Sequence, residues 1–197
     1  MTRPTFFVEE DKILTNLFEE GMDNLHLHKP GSSPMYLERL LTLLGEDLAS
    51  RTTVHNHFYL KVEYKLRGIH IDDAYTEPPS GYRGNISRTC HAISELKEVK
   101  RRCNYVFLHP VFDSQTIKEE TSNFTIAELE EAARQGLIDK KVYALGGINL
   151  DNIKTIRSLG FGGVVICGDL WNRFDIHNEA DYKNLLLHFE RLKKAVD

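Results

Sequence analysis

Histidine is the residue type placed most deliberately in this sequence. Nine are present, and seven of them, His26, His28, His55, His57, His70, His91 and His109, fall in or just after short apolar runs. Imidazole titrates near neutral pH, so it can act as general acid, general base or metal ligand. Leucines alternate with His26 and His28, and isoleucines alternate with His70 and Asp72. Successive side chains of a strand point to opposite faces, so the aliphatic set can meet helices while the imidazoles line the other side. His177 and His188, on the terminal segment, lack that pattern. The pairs His26-Leu-His28 and His55-Asn-His57 also have the spacing with which one strand can chelate zinc, Asp72 or Asp73 completing the shell. Barrel hydrolases place such a pair on their first strand, where this chain has only Glu9 and Glu10, which argues against metal-dependent hydrolysis.

The second chemical signal is glycine. Val142-Tyr-Ala-Leu-Gly-Gly-Ile-Asn149 and Gly160-Phe-Gly-Gly-Val-Val-Ile-Cys-Gly168 are each an apolar, β-branched run that ends in glycine before a helix start. Such turns leave backbone N–H groups open to an anion, and the helix dipole favours negative charge there. Asn149 is placed to cap a helix from about residue 150. Two such turns near the end of a βα-repeating chain predict a phosphate cup of the kind built after the last strands of a (β/α)₈ barrel.

The elements that must hold these residues alternate along the whole length. Strands are expected at residues 5–8, 24–28, 53–57, 68–72, 83–87, 104–108, 141–145 and 162–166. Helices are expected at 11–20, 35–44, 58–66, 92–102, 150–159 and 180–194, with another from Thr125, where Glu128 three residues on makes a capping box. Residues 74–82, with Pro78-Pro79 and Gly81, predict no helix. Residues 110–123 predict a long polar loop, a candidate lid. Eight βα units without a linker predict an α/β fold, a single small (β/α)₈ TIM barrel over residues 1–197. A doubly wound open sheet would carry its glycines after the first strand.

Composition narrows the function classes. The net charge of −4, with no basic run, speaks against nucleic-acid or anionic-membrane binding. Cys90, Cys103 and Cys167 form no disulfide framework, and no apolar run is long enough to span a bilayer, so a cytoplasmic location is expected.

With these residues in view, the chain resembles the thiamine-phosphate synthase and thiazole tautomerase family of small barrels. Ala144-Leu-Gly-Gly-Ile-Asn149 and Gly163-Val-Val-Ile-Cys-Gly168 are similar to its two phosphate-holding turns, and Gly68-Ile-His70 to its Gly-Val-His. Thr89-Cys-His91 with Glu95 resembles its Ser-x-His turn, Tyr105-Val-Phe-Leu-His-Pro-Val-Phe112 the end of its sixth strand, and Ser114-Gln-Thr-Ile-Lys118 its flexible loop. The resemblance implies a transferase that couples an aminopyrimidine diphosphate to thiazole phosphate with Mg²⁺. It implies that Gly146, Gly147, Cys167 and Gly168 cradle the phosphate and that Lys118 meets the leaving diphosphate. Catalytic roles are expected for His26, His28, His109 and Lys118, and substrate contacts for His55, Asn56, His57, His70, Thr89, His91, Ser114 and Thr116. Metal contacts are expected at Asp72 and Asp73.

The chain departs from the family on the metal side. His26-Leu-His28 stands for Gln-x-Arg, Pro30 for a lysine, and the second magnesium aspartate aligns with Tyr75. Imidazole suits magnesium poorly. The alternatives are therefore a metal-free tautomerase, moving a proton on a thiazole phosphate, and a non-catalytic binder of a phosphorylated metabolite. The expected partner is a phosphorylated small molecule, and a homo-oligomer is compatible with the sequence.

Overall fold

The computed structural model describes residues 1–114, 119–175 and 178–197, with no side-chain description for Glu179. The chain divides into two compact units, residues 1–86 and 87–197.

The first unit contains α1 (Glu10–Glu19), β1 (Leu25–Leu27), α2 (Pro34–Ala49), β2 (Thr52–Val54), α3 (Leu60–Glu63) and β3 (Gly68–Ile71). Its strands pair in parallel, β1 with β2 and β2 with β3, with His26 opposite Thr53 and Val54 opposite Ile69. Every residue of the three strands is buried, as parallel strands covered on both faces require. The stripe Ile13, Leu14, Leu17 and Phe18 packs α1 inward, each side chain worth about 1.5–3 kcal/mol of burial. Pro34 opens α2, where its missing N–H costs nothing. Gly45, at φ 78°, breaks the helical path just after the expected end at residue 44, and a second helical stretch carries on to Ala49.

The strand expected at residues 5–8 does not form. Instead Thr2 lies beside β1: its N–H donates to the His26 carbonyl at 3.0 Å, and its Oγ1 meets the His28 backbone. Seven strands are therefore found among the described residues, not eight.

β4 (Asn85–Cys90) leads into the second unit, followed by α4 (Leu96–Arg102), β5 (Tyr105–Leu108), α5 (Ile126–Arg134), β6 (Val142–Leu145), α6 (Ile153–Ser158), β7 (Gly163–Val165), α7 (Gly168–Trp171) and α8 (Glu179–Val196). Parallel pairing runs β4 to β5 to β6 to β7. The capping box at α5 forms as expected, Thr125 Oγ1 accepting from Glu128 N while the Glu128 carboxylate accepts from Thr125 N. The short α7 was not anticipated. Among the described residues no helix is long and apolar enough to cross a membrane.

Candidate functional site

In the first unit the alternation of leucine and histidine gathers four imidazoles. His26, His55 and His70 are buried, 4%, 5% and 0% exposed. The rings of His55 and His70 stack at 4.3 Å, His26 meets both edge-on, and His28 lies 4.6 Å from His55. A directed chain of hydrogen bonds runs through two of them, His26 and His55. Thr53 Oγ1 donates to Asn24 Oδ1 at 3.0 Å, which leaves Asn24 Nδ2 to donate to His26 Nε2 at 3.2 Å. The His26 proton then sits on Nδ1 and is donated to His55 Nε2 at 2.9 Å. His55 in turn donates from Nδ1 to Asp72 Oδ1 at 2.6 Å. Each imidazole in this chain needs only one proton. Burial drives the His26 pKa well below the usual histidine value, with His70 and His55 adding to it. Burial also lowers His28, against the opposing pull of Asp72. Neutral imidazoles can accept and relay protons or hold a metal.

His57 takes another direction. Its backbone has φ 52°, and its Nε2 lies 3.0 Å from the Ser32 carbonyl, which ties the turn after β2 to the loop before α2. Asn56, beside it, has a buried carboxamide oxygen with no hydrogen-bond partner among the described residues.

The carboxylates expected to bind magnesium are otherwise engaged. Asp73 Oδ1 accepts from the backbone N–H groups of Tyr75 and Thr76, and its Oδ2 accepts from Thr76 Oγ1. Asp72 Oδ1 holds His55. Magnesium demands an octahedral set of oxygens, and the donors gathered here are mostly nitrogen. The residues present do not suit it.

The second unit builds its candidate site from backbone. Gly146 and Gly147 have φ 100° and 63°, and the space where their β-carbons would lie is occupied. A Cβ on Gly146 would meet Pro110 at 2.8 Å, and one on Gly147 would lie 2.3 Å from the Asp113 carbonyl. The turn after β6 is thus pressed against residues 110–113, an approach that only glycine permits. Asn152 Nδ2 donates to the Gly147 carbonyl and its Oδ1 accepts from Asn149 N, while Asn149 Oδ1 accepts from Asp151 N. Asn152, not Asn149, is the N-cap position of α6. With six residues in α6 and four in α7, helix dipoles add little, and anion affinity must rest on the turns' own N–H groups. After β7, Cys167 and Gly168 begin α7. Asp169 is buried next to them, where Arg173 pairs with its Oδ1 and the Nε2 of His188 lies 2.6 Å from its Oδ2.

His109 follows β5. Its Nε2 lies 3.0 Å from Glu120, and burial lowers its pKa against the pull of that carboxylate. His91 packs near it, ring centroids 5.6 Å apart, with Nδ1 3.1 Å from the His109 carbonyl. Thr89 is buried within β4. Ser114 N donates to the Glu120 carbonyl, and the Ser122 hydroxyl, with its single proton, lies 2.7 Å from the Val111 carbonyl and 2.9 Å from that of Phe124, so both described ends of the 110–123 loop are pinned. Thr116, Lys118 and His177 lie outside the described residues.

Two buried polar pairs were not foreseen. One is His188 with Asp169. The other joins Lys29, fully buried, to Glu10 at 2.6 Å, with the ammonium 4.5 Å over the Phe6 ring. Burial raises Glu10 against the pull of Lys29. No sequence spacing signals either pair. The alternation that aims His28 one way does place Lys29 on the helix side.

Comparison with known proteins identifies the family and the fold. A family model described as thiamine monophosphate synthase matches residues 19–170. A crystal structure of thiamine phosphate pyrophosphorylase from Bacteroides thetaiotaomicron is 48% identical with a TM-score of 0.90, over 100% of this chain and 95% of that one. A thiamine-phosphate synthase from Flavobacterium johnsoniae is 27% identical over 75% of this chain and 70% of its own length. One from Parasynechococcus marenigrum is 28% identical over 73% of this chain, a match spanning 42% of that protein. The full-length structural likeness gives the chain an α/β fold of the TIM-barrel kind.

Proposed function

The chain belongs to the thiamine monophosphate synthase family, which places it in thiamine biosynthesis, and on that premise we propose that it is a transferase joining an aminopyrimidine diphosphate to a thiazole phosphate with loss of diphosphate. The observation that carries this reading is the likeness, at 48% identity, to a structure described as a thiamine phosphate pyrophosphorylase. In the second unit the turns at Gly146, Gly147, Cys167 and Gly168 hold the phosphate through backbone N–H groups. In the first unit the Asn56 carboxamide oxygen, buried without a partner among the described residues, would cost about 1–3 kcal/mol unless a ligand donates to it. The amino group of an aminopyrimidine is such a donor. His28 and His109 are the neutral bases, and Lys118 is assigned to the leaving diphosphate. The donors gathered in the first unit do not suit magnesium.

The test is formation of thiamine phosphate from the two substrates by the purified chain, with no added metal and with Mg²⁺, Mn²⁺ or Zn²⁺ in turn. Product in any arm supports the transferase. No product in every arm, with phosphate-ester binding intact, sinks it and leaves a binder. A tautomerase reading is favoured by one observation, the imidazole of His109 held 3.0 Å from Glu120. Metal-independent isomerisation of a thiazole carboxylate phosphate, with no coupling, would establish it. A cytoplasmic location fits three free cysteines, two of them buried. The homo-oligomer is checked by light scattering.

A further inference from the structure

Three buried imidazoles in contact are an unusual expense for a protein core. Each must be desolvated, and in the directed chain described above His26 is bonded directly to His55. Their donor atoms, one each from His26, His55 and His70, all lie within 4.8 Å of each other. Two zinc-bound nitrogens at about 2.0–2.1 Å in tetrahedral geometry stand about 3.3 Å apart. The His26 Nδ1 to His55 Nε2 separation is 2.9 Å, so those two nitrogens need to open by a few tenths of an ångström, and the His70 ring, stacked on His55, turns its nitrogen toward the ion.

The surroundings are those of a ligating set. A metal-bound histidine usually gives its other ring N–H to a carboxylate or amide, which fixes the tautomer. His55 does this with Nδ1 toward Asp72 Oδ1. His26 has Nε2 3.2 Å from the Asn24 carboxamide, which is in turn held by Thr53. Rotating that amide, which leaves its heavy-atom positions nearly unchanged, turns Asn24 from donor to acceptor. His26 Nε2–H can then be donated to it while Nδ1 binds the ion. Asp72 is half exposed and marks the solvent side.

We propose that His26, His55 and His70 form a site for a divalent transition ion of the zinc class, with Asp72 and Asn24 orienting its ligands. A neutral three-nitrogen set selects Zn²⁺ or Co²⁺ over Mg²⁺. A second grouping, His28, His55 and Asp72, is also close enough to share an ion. It shares only His55 with the first, so variants separate the two.

The experiment uses the untagged full chain, stripped with chelator and titrated with Co²⁺ or Zn²⁺, each alone. Stoichiometry is read by elemental analysis, and affinity by cobalt visible absorption and chelator competition. None of these readouts requires turnover. One ion per chain, not displaced by millimolar Mg²⁺, is expected. His70→Ala and His26→Gln should each weaken binding about 100-fold or more, and Asp72→Asn, removing only an orienting acceptor, about 10–100-fold. His28→Ala should leave it within about threefold. Failure to retain an ion overturns the site, as does unchanged affinity in His70→Ala or in Asp72→Asn. A loss in His28→Ala with none in His70→Ala overturns it in favour of the second grouping. Should His70→Ala not fold, His26→Gln decides, because only the first grouping contains His26.

Discussion

The histidine cluster of the first unit and the glycine turns of the second are built in opposite ways. The cluster is made of side chains. Four imidazoles, an amide and a carboxylate define it, and each can be exchanged without altering the strand that carries it. The turns are made of main chain, and their chemistry comes from N–H groups that every residue type has. What is special there is the missing β-carbon. A side-chain site can therefore be rewritten one residue at a time, whereas a backbone site is kept or lost whole. This accounts for the glycine turns resembling the family closely while the magnesium side is written in histidine.

That contrast predicts different responses to substitution. The largest effect is expected outside both sites, at the ion pair anchoring β1 to α1. Lys29→Ala should cost about 3–5 kcal/mol, because it leaves Glu10 buried and uncompensated. Denaturant titration measures it, and a loss below 1 kcal/mol, to order of magnitude, would show that Glu10 reaches water. Next comes Gly147→Ala, at about 2–4 kcal/mol, since φ 63° and the Asp113 carbonyl both oppose a Cβ. Phosphate-ester affinity should collapse with it. Retained affinity would mean that the turn does not hold phosphate. His28→Ala should lower kcat about 100-fold at nearly unchanged stability. An unaltered kcat would remove the first unit's imidazoles from the chemistry.

A pH titration sharpens the same contrast. His26 and His28 have folded pKa values below their unfolded ones. The unfolded chain thus binds more protons, and their contribution to stability is full above about pH 6.5 and declines as pH falls below it. His26→Gln should flatten that decline. If the slope is the same in the variant, His26 is not its source. The smallest effect is a control in the backbone-built unit: Thr125→Ala should cost about 1 kcal/mol through the lost capping box, without touching catalysis.

Much of this was legible in the sequence because it is periodic. The alternation of leucine with His26 and His28, and of isoleucine with His70 and Asp72, aimed the imidazoles correctly, and Thr125 with Glu128 announced the start of α5. What stayed hidden depends on long-range partners or on single backbone angles. Lys29 and Glu10 meet only because α1 packs beside β1, 19 residues apart in the chain. His57 leaves the cluster because its φ is positive, which no neighbour in sequence dictates. Residues 5–8 are apolar enough for a strand, yet the pairing beside β1 is made by Thr2. Asn149 looked like a helix cap, but a preceding turn delays α6 to Ile153.

The pressed contact between residues 146–147 and residues 110–113 has a practical consequence for engineering. Two loops from different βα units interlock there, main chain of one filling the room left by the absent side chains of the other. Neither can be transplanted alone. A graft of the 110–113 segment from a relative, made to change substrate scope, would meet a mould shaped for a different path. The two segments form one exchangeable cassette, and variant libraries should treat them as a single unit of design.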